Sequence, residues 1–425
     1  MSKFLSPVRW RFIIMLGFAA GVYFFANLHR VAIPGAVFDQ LQSRWACQAP
    51  GIAGLGAAFM YIYAAMQPLT GLLLDRYGSG RILIGGGTLF IAGMFCLAWA
   101  PSLWSAYIAQ ILCGFGAGSI YLAVVKENMR TFRDKYNITL AVIVLIGYAG
   151  GVTANAPLLM TVEKIGLSRT LLLNALLAFF FLLGIIVLLP KRFQGIHKER
   201  RFSAREFLPV FKQRHNCHLY IFSAINFALF YVLQTVIGKK FLLDFCNMPD
   251  LAAGWIFSAT GAVAAVSGLS MAALSHLLGN RRKIFCRTAG VISFGSFSTI
   301  LILTLCNVRA GAVYAGFFIL LSATASLSSI LIPLLRETNG NVMVGKTVSM
   351  LNFSFYLCVA FFGNMAGLML KCFTPMERNG VAVYGQAAWS TIFAIFAAAA
   401  LLVLFYSFKM RETFGKTVLN IDERQ

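Results

Sequence analysis

Apolar residues run in blocks of about twenty along the whole chain, parted by short polar stretches, and each block is long enough to cross a bilayer as a helix. The blocks fall at 12–38, 51–74, 82–100, 104–125, 138–158, 168–190, 217–238, 251–274, 284–306, 311–334, 347–369 and 387–408. Inside hydrocarbon each backbone N–H and C=O must be satisfied within its own segment, so the blocks are predicted to be helices. A membrane barrel would show strand-length alternation of polar and apolar residues, and the blocks do not alternate. The pattern predicts an all-α polytopic membrane protein of twelve transmembrane helices. The longest polar stretch, KRFQGIHKERRFSAREFLPVFKQRH at 191–215, divides the helices six and six, as two fused halves would. The expected organisation is a six-helix half at 1–190, a linker at 191–215, a second half at 216–409 and a tail at 410–425. Ser203, with Arg205 and Glu206 after it, reads as a weak helix start lying along the membrane surface.

Composition agrees with the pattern. Of 425 residues, 59% are hydrophobic and 12% charged, against roughly 25% charged in soluble domains. Mean hydropathy is +0.77. The net charge of +22 would suggest nucleic acid in a soluble protein, but its placement points elsewhere. With basic residues at span ends counted with the adjoining loops, 27 of the 36 Lys and Arg lie on the N-terminal side of the membrane and 8 on the other, with Arg30 inside the first span. That excess predicts both termini in the cytoplasm, in the inner or plasma membrane, with attraction to anionic lipid and no role for nucleic acid. The nine cysteines are scattered, mostly in apolar segments, with no metal-like spacing. They read as small buried hydrophobes, although a Cys47–Cys372 disulfide is conceivable. The start, MSKFLSPVRWRF, reads as the lead into a retained span. No cofactor is expected.

Two echoes relate the halves. The loop after span 2 reads Gly71-Leu-Leu-Leu-Asp75-Arg76-Tyr-Gly78-Ser-Gly-Arg81. At a shift of 201 residues, Gly279 answers Gly78, Arg282 answers Arg81, and His276 stands for Asp75. The ends of spans 4 and 10 also match, Val125-Lys126-Glu127-Asn128 against Leu335-Arg336-Glu337-Thr338.

The first of these loops resembles the signature loop of the major facilitator superfamily, and the similarity extends through nearly the whole chain. Within that family the sequence is most similar to the branch of organic-anion and sugar-acid (hexuronate-like) transporters. The residues that carry this are Asn27-Leu-His29-Arg30 followed by Pro34, Tyr63 with Gln67-Pro68, the glycines Gly114, Gly116 and Gly118, Gly147 to Pro157, Leu233-Gln234, Arg336-Glu337, Gly345 and Asn352. The arginine usual in span 4 is Gln110, and the full Gly-Pro-Gly-Gly pattern of drug/proton antiporters is missing from span 5. The resemblance implies a cytoplasmic latch built from Gly71, Asp75, Arg76, Gly78, Arg81, Glu127 and Glu337, and a monomer.

A cation inside a span is costly and therefore a functional hypothesis. Arg30 lies ~28 Å along the helix from Arg11 at ~1.5 Å per residue, past the midplane. It either reaches the outer headgroups or faces a central cavity, where it would pair with a carboxylate or phosphate. All 14 acids fall at span ends or in loops, which makes a small anionic solute the expected partner of a cation in the cavity. Coupling to a proton would then use His29 or the substrate's own carboxyl, and sodium coupling or uniport stay open. His29, Arg30, Gln67, Gln110, Tyr148, Asn155, Tyr231, Gln234, Asn352 and Tyr356 are the expected substrate-binding residues, together with Tyr63 and Asn226. Singly, each also suits helix–helix packing. Lys239 and Lys240 read as interface anchors at the outer end of span 7, or as guides for anions. The leading expectation is a secondary active transporter, a symporter, for an organic anion; the alternatives are an exporter of amphipathic compounds and a non-transporting receptor or scaffold. An intramembrane enzyme would need paired acids or clustered metal ligands in the spans, and the sequence offers none.

Overall fold

The computed structural model describes residues 7–132, 136–188, 210, 213–378 and 381–418. Most of the linker, with its expected helix start at Ser203, lies outside them. Among the described residues eleven helices are long and apolar enough to cross a membrane, twelve if the bent pair Thr139–Thr153 and Ala156–Ile165 is one span. Their outward faces carry large hydrophobics such as Trp104, Leu277 and Val187, a surface suited to lipid and not to water.

The chain divides into two compact units: the described residues of 1–32 and 58–202, and those of 33–57 and 203–425. The first unit holds α1 (Pro7–Val31), most of α3 (Ala49–Tyr77), α4 (Ser79–Ala98), α5 (Leu103–Thr131), α6 (Tyr136–Thr153), α7 (Ala156–Ile165) and α8 (Leu167–Leu188). Small residues let its helices approach closely. Any Cβ at Gly116 would strike the backbone of Phe90, and one at Gly150 the carbonyl of Phe24, so α4 with α5 and α1 with α6 meet backbone to backbone. The span expected to run unbroken over 138–158 is bent by 49°. Pro157, at the start of α7, has no N–H and crowds the preceding turn.

The second unit holds α2 (Phe38–Trp45), α9 (Arg214–Val232), a π-helical turn at Leu233–Ile237, α10 (Gly238–Asp244), α11 (Asp250–Leu277), α12 (Lys283–Leu305), α13 (Gly311–Ala323), α14 (Ser328–Lys371) and α15 (Gln386–Phe408). Its core gathers Leu219, Phe222, Leu331, Leu335, Leu351 and Val403. Gly340, at φ +73°, breaks α14, so that one span runs over Gly311–Gly340 and the next over Met343–Lys371. Two elements depart from the twelve-block pattern. A short antiparallel hairpin pairs β1 (Met376–Arg378) with β2 (Val381–Val383). Residues 33–57, placed by the sequence reading in the first half, group with the second unit. There Lys239 donates to the Ala36 carbonyl, Lys240 pairs with Asp39 at 2.9 Å, and Gly367 meets Ala53 at close range. The nine cysteines are free, Cys47 and Cys372 among them.

Candidate functional site

Arg30 sits in the last turn of α1, half-buried. One guanidinium nitrogen donates to Asn27 Oδ1 at 2.5 Å, the i−3 position on the same helix face, and another reaches the Tyr63 hydroxyl at 3.5 Å. The guanidinium carbon lies 5.5 Å from the centroid of the Tyr63 ring, within cation–π range. The Tyr63 ring on α3 and the Asn27 amide on α1 itself thus both touch the cation. Asn27 is not among the expected substrate-binding residues; its i,i+3 spacing to Arg30 is the signal in the sequence.

The other expected residues of the first unit go largely into helix packing. His29 is buried between Phe59 and Phe90, with Nε2 2.9 Å from Gln110 Oε1. Gln67 donates to the carbonyls of Tyr63 and Gly118, tying α3 to α5. Asn155 donates to the Gly151 carbonyl, one turn back across the bend. Tyr148 is half-buried on α6. In the second unit Gln234 donates to the Phe257 carbonyl and accepts from Thr260 Oγ1, fixing the π-helical turn to α11. Asn226 donates to the Thr324 carbonyl. Tyr231 stacks on Phe227, and Tyr356 meets both edge-on, with ring centroids 6.5 Å and 5.8 Å away. Asn352 is half-buried one turn before Tyr356.

The two echo loops have matching geometry. Gly78 at φ +80° and Gly279 at φ +70° make the turns that glycine adopts most readily. Behind each turn a glutamate from the matched pair accepts a hydrogen bond. In the first unit Glu127, buried, accepts from Ser79 Oγ at 2.7 Å and lies 3.6 Å from Arg130. In the second unit Glu337 pairs with Arg282 at 3.0 Å and accepts from Thr413 Oγ1 at 2.5 Å. Asp75 forms a separate pair with Lys126 at 2.8 Å, while Arg76 and Arg81 are exposed and Gly71 has open space where a side chain would stand. The Asp75–Lys126 pair is well exposed, so Asp75→Asn should cost less than about 1 kcal/mol of stability. Thermal unfolding of the variant checks this; a larger loss would make the aspartate a structural residue.

The expectation that Lys239 and Lys240 anchor the interface fails. Both are buried, within the run Arg214–Asp244. Lys239 pairs with Asp250 at 2.6 Å, and Lys240 with Asp39 and Asp244 at 2.9 Å each. Solvated lysines would end the span at 238, but neutralised lysines let the helical run continue to Asp244. The i,i+4 spacing of Lys240 and Asp244 was the legible sign; Asp39, some two hundred residues away, gave none.

The pattern of the Major Facilitator Superfamily matches residues 15–363. A multi-drug resistance efflux pump of Streptococcus pneumoniae is 24% identical over 363 residues, 83% of this chain and 84% of that protein. An oxalate:formate antiporter of Oxalobacter formigenes is 26% identical over 149 residues, 34% of this chain and 35% of its own length. A riboflavin transporter of Saccharomyces cerevisiae is 29% identical over 102 residues, 24% of this chain, and the match spans only 20% of that protein. Among solved structures, the nucleoside transporter NupG superposes with a TM-score of 0.71 at 13% identity, over 95% of this chain and 99% of that one. A peptide transporter, POT, solved with sulfate superposes at 0.72 and 14% identity, over 94% of each chain. The chain is a multi-pass membrane transporter and belongs to the major facilitator superfamily.

Proposed function

We propose that this transporter moves a small organic anion, a carboxylate or sugar acid, across the inner or plasma membrane by alternating access, with Arg30 taking the anionic group. The observation that carries the reading is the setting of Arg30: a cation inside a span, backed by the amide of Asn27 and the ring of Tyr63. A guanidinium presents a planar fork suited to bidentate contact with a carboxylate, a geometry lysine does not offer. The partial likeness to an oxalate:formate antiporter agrees with such a cargo. In this reading the protein is a monomer with both termini cytoplasmic. The loop at Asp75 and Arg81 and the buried Glu127 and Glu337 steady the inner ends of the helices between states, and a proton or sodium ion accompanies uptake.

A second reading, export of amphipathic compounds, draws on the likeness to the pneumococcal efflux pump, which extends over most of both chains. Ligand-induced stabilisation separates the two. A ligand at ~100 times its Kd adds about 2.7 kcal/mol to the folded state. A screen of sugar acids, dicarboxylates, amino acids and phosphorylated compounds, each beside its neutral amide or alcohol analogue, should raise the unfolding temperature with an anion and not with its neutral counterpart. Stabilisation by amphipathic cations alone would replace the anion reading with the export reading.

A further inference from the structure

The outer end of the run Arg214–Asp244 carries a charge cluster for which anion binding has no use. Lys240 is fully buried. Its Nζ lies 2.9 Å from Asp39 Oδ1 on α2 and 2.9 Å from Asp244 Oδ1 one turn further along, and it donates to the Ala382 carbonyl of β2 at 2.7 Å. The second oxygen of Asp244 accepts the backbone N–H of Tyr384 at 3.0 Å. Beside this triad Lys239 pairs with Asp250, which also accepts from Gln40 at 3.0 Å.

The charges do not balance. Lys239 neutralises Asp250, but Lys240 faces two carboxylates, so the ionised triad carries one surplus negative charge in a desolvated place. Two carboxylates crowded on one buried ammonium relieve this when one of them takes up a proton. A metal ion suits the position less well, because the lysine ammonium already lies between the acids. Among the described residues no group of three or more His, Cys, Asp or Glu could hold one. A cavity of about 300 Å³ gives the proton a route, since Asp244 lines it together with Arg309, Glu377, Arg378 and Tyr384. Arg309, Glu377 and Arg378 are exposed, and solvent screens them. Burial pushes the nearby Cys246 thiol up to about 12 and raises the Tyr384 phenol, so both stay neutral in ordinary buffers.

We propose that the Asp39–Lys240–Asp244 triad is a proton-binding site, taking one proton for its two carboxylates, and that its occupancy sets how firmly residues 33–57 are held. The proton passes from cavity water to a carboxylate oxygen, and no other covalent bond changes. The Asp244 side chain is 2% exposed and that of Asp39 23%, and desolvation favours the neutral form of the more deeply buried acid. With the proton on Asp244, the whole charge of Lys240 serves Asp39, and the 33–57 segment is tightened. As pH rises and the proton leaves, the two acids compete for one ammonium and the segment loosens.

Cys47 reports on that segment. It is half-buried next to α2, and its backbone N–H donates to the Gln42 carbonyl at 3.2 Å. In the full-length protein, maleimide labelling of Cys47, located by peptide mass mapping, is compared between wild type and Asp244→Asn at equal pH, so that the thiol's own ionisation cancels. The asparagine mimics the protonated acid. At pH about 8 wild type should label about tenfold faster than Asp244→Asn, and at pH about 5 the two rates should converge. A ratio that does not change with pH overturns the proposal. Infrared spectroscopy gives a second reading should Asp244→Asn fail to fold. Wild type should show one buried carboxylic acid C=O band that is lost as pH rises, and Asp39→Asn, which leaves one acid facing one ammonium, should lack it. Persistence of that band in Asp39→Asn equally overturns the proposal. Neither readout contains a cargo, so their failure is distinct from failure of the anion reading.

Discussion

Arg30→Ala is expected to weaken binding of the transported anion about 100-fold or more, and to abolish its uptake into proteoliposomes, while the protein still inserts and folds. Removing one partner of a desolvated charge pair costs about 2–5 kcal/mol, and an anion whose cation is gone bears that whole cost. Among the groups left behind, the Asn27 amide and the Tyr63 ring are neutral, so neither becomes a lone buried charge. Arg30→Lys should fall between. Lysine restores the charge as a compact, strongly hydrated point and not as a planar fork, so it rescues part of the affinity and little of the discrimination between planar and tetrahedral anions. Counterflow of radiolabelled anion in the three proteins gives the measurement. Equal rates in wild type and Arg30→Ala would remove the arginine from the site.

The second large effect is on stability. Arg282→Met is expected to destabilise the protein by about 3–5 kcal/mol, the usual cost of leaving one member of a buried ion pair alone. Glu337 is the group left behind: its side chain is 11% exposed, against 56% for Asp75 in the first unit. The C-terminal segment reinforces the place. Thr413 donates to Glu337, and Glu412 accepts the backbone N–H groups of Arg282 and Lys283 at 2.7 and 3.0 Å, capping the start of α12. In the double variant Arg282→Met with Glu337→Leu, most of the lost stability should return, since no lone charge remains buried. Thermal unfolding of the two single variants and the double closes the cycle. A loss below about 1 kcal/mol in Arg282→Met would put the pair in the same weak class as Asp75–Lys126.

The membrane helices were legible in the sequence because hydrophobic length is a local property that needs no partner to be read. The signature turns were legible for a similar reason: Gly78 and Gly279 take positive φ where the motif places them. What the sequence hid was where polar groups find their partners. Gln67, Gln110 and Gln234 bear amides that would suit a cavity lining, but each is engaged by a group on another helix: Gly118, His29 and Phe257. A polar side chain in a span satisfies the same need by lining water or by bonding a neighbour, and composition does not distinguish the two. Lys239 and Lys240 were misread because their neutralising acids, Asp39, Asp244 and Asp250, come from three elements. The grouping of residues 33–57 with the second unit was hidden for the same reason. Arg30 stood out because it needed no partner to be noticed, being a cation deep in an apolar run.

The most direct measurement of the central claim is an experimental structure of the protein with its best-stabilising anion bound. An anionic oxygen is expected within about 3 Å of the Arg30 guanidinium, at charge-assisted hydrogen-bond distance. An anion bound elsewhere, with Arg30 reaching into the lipid headgroups, would contradict it.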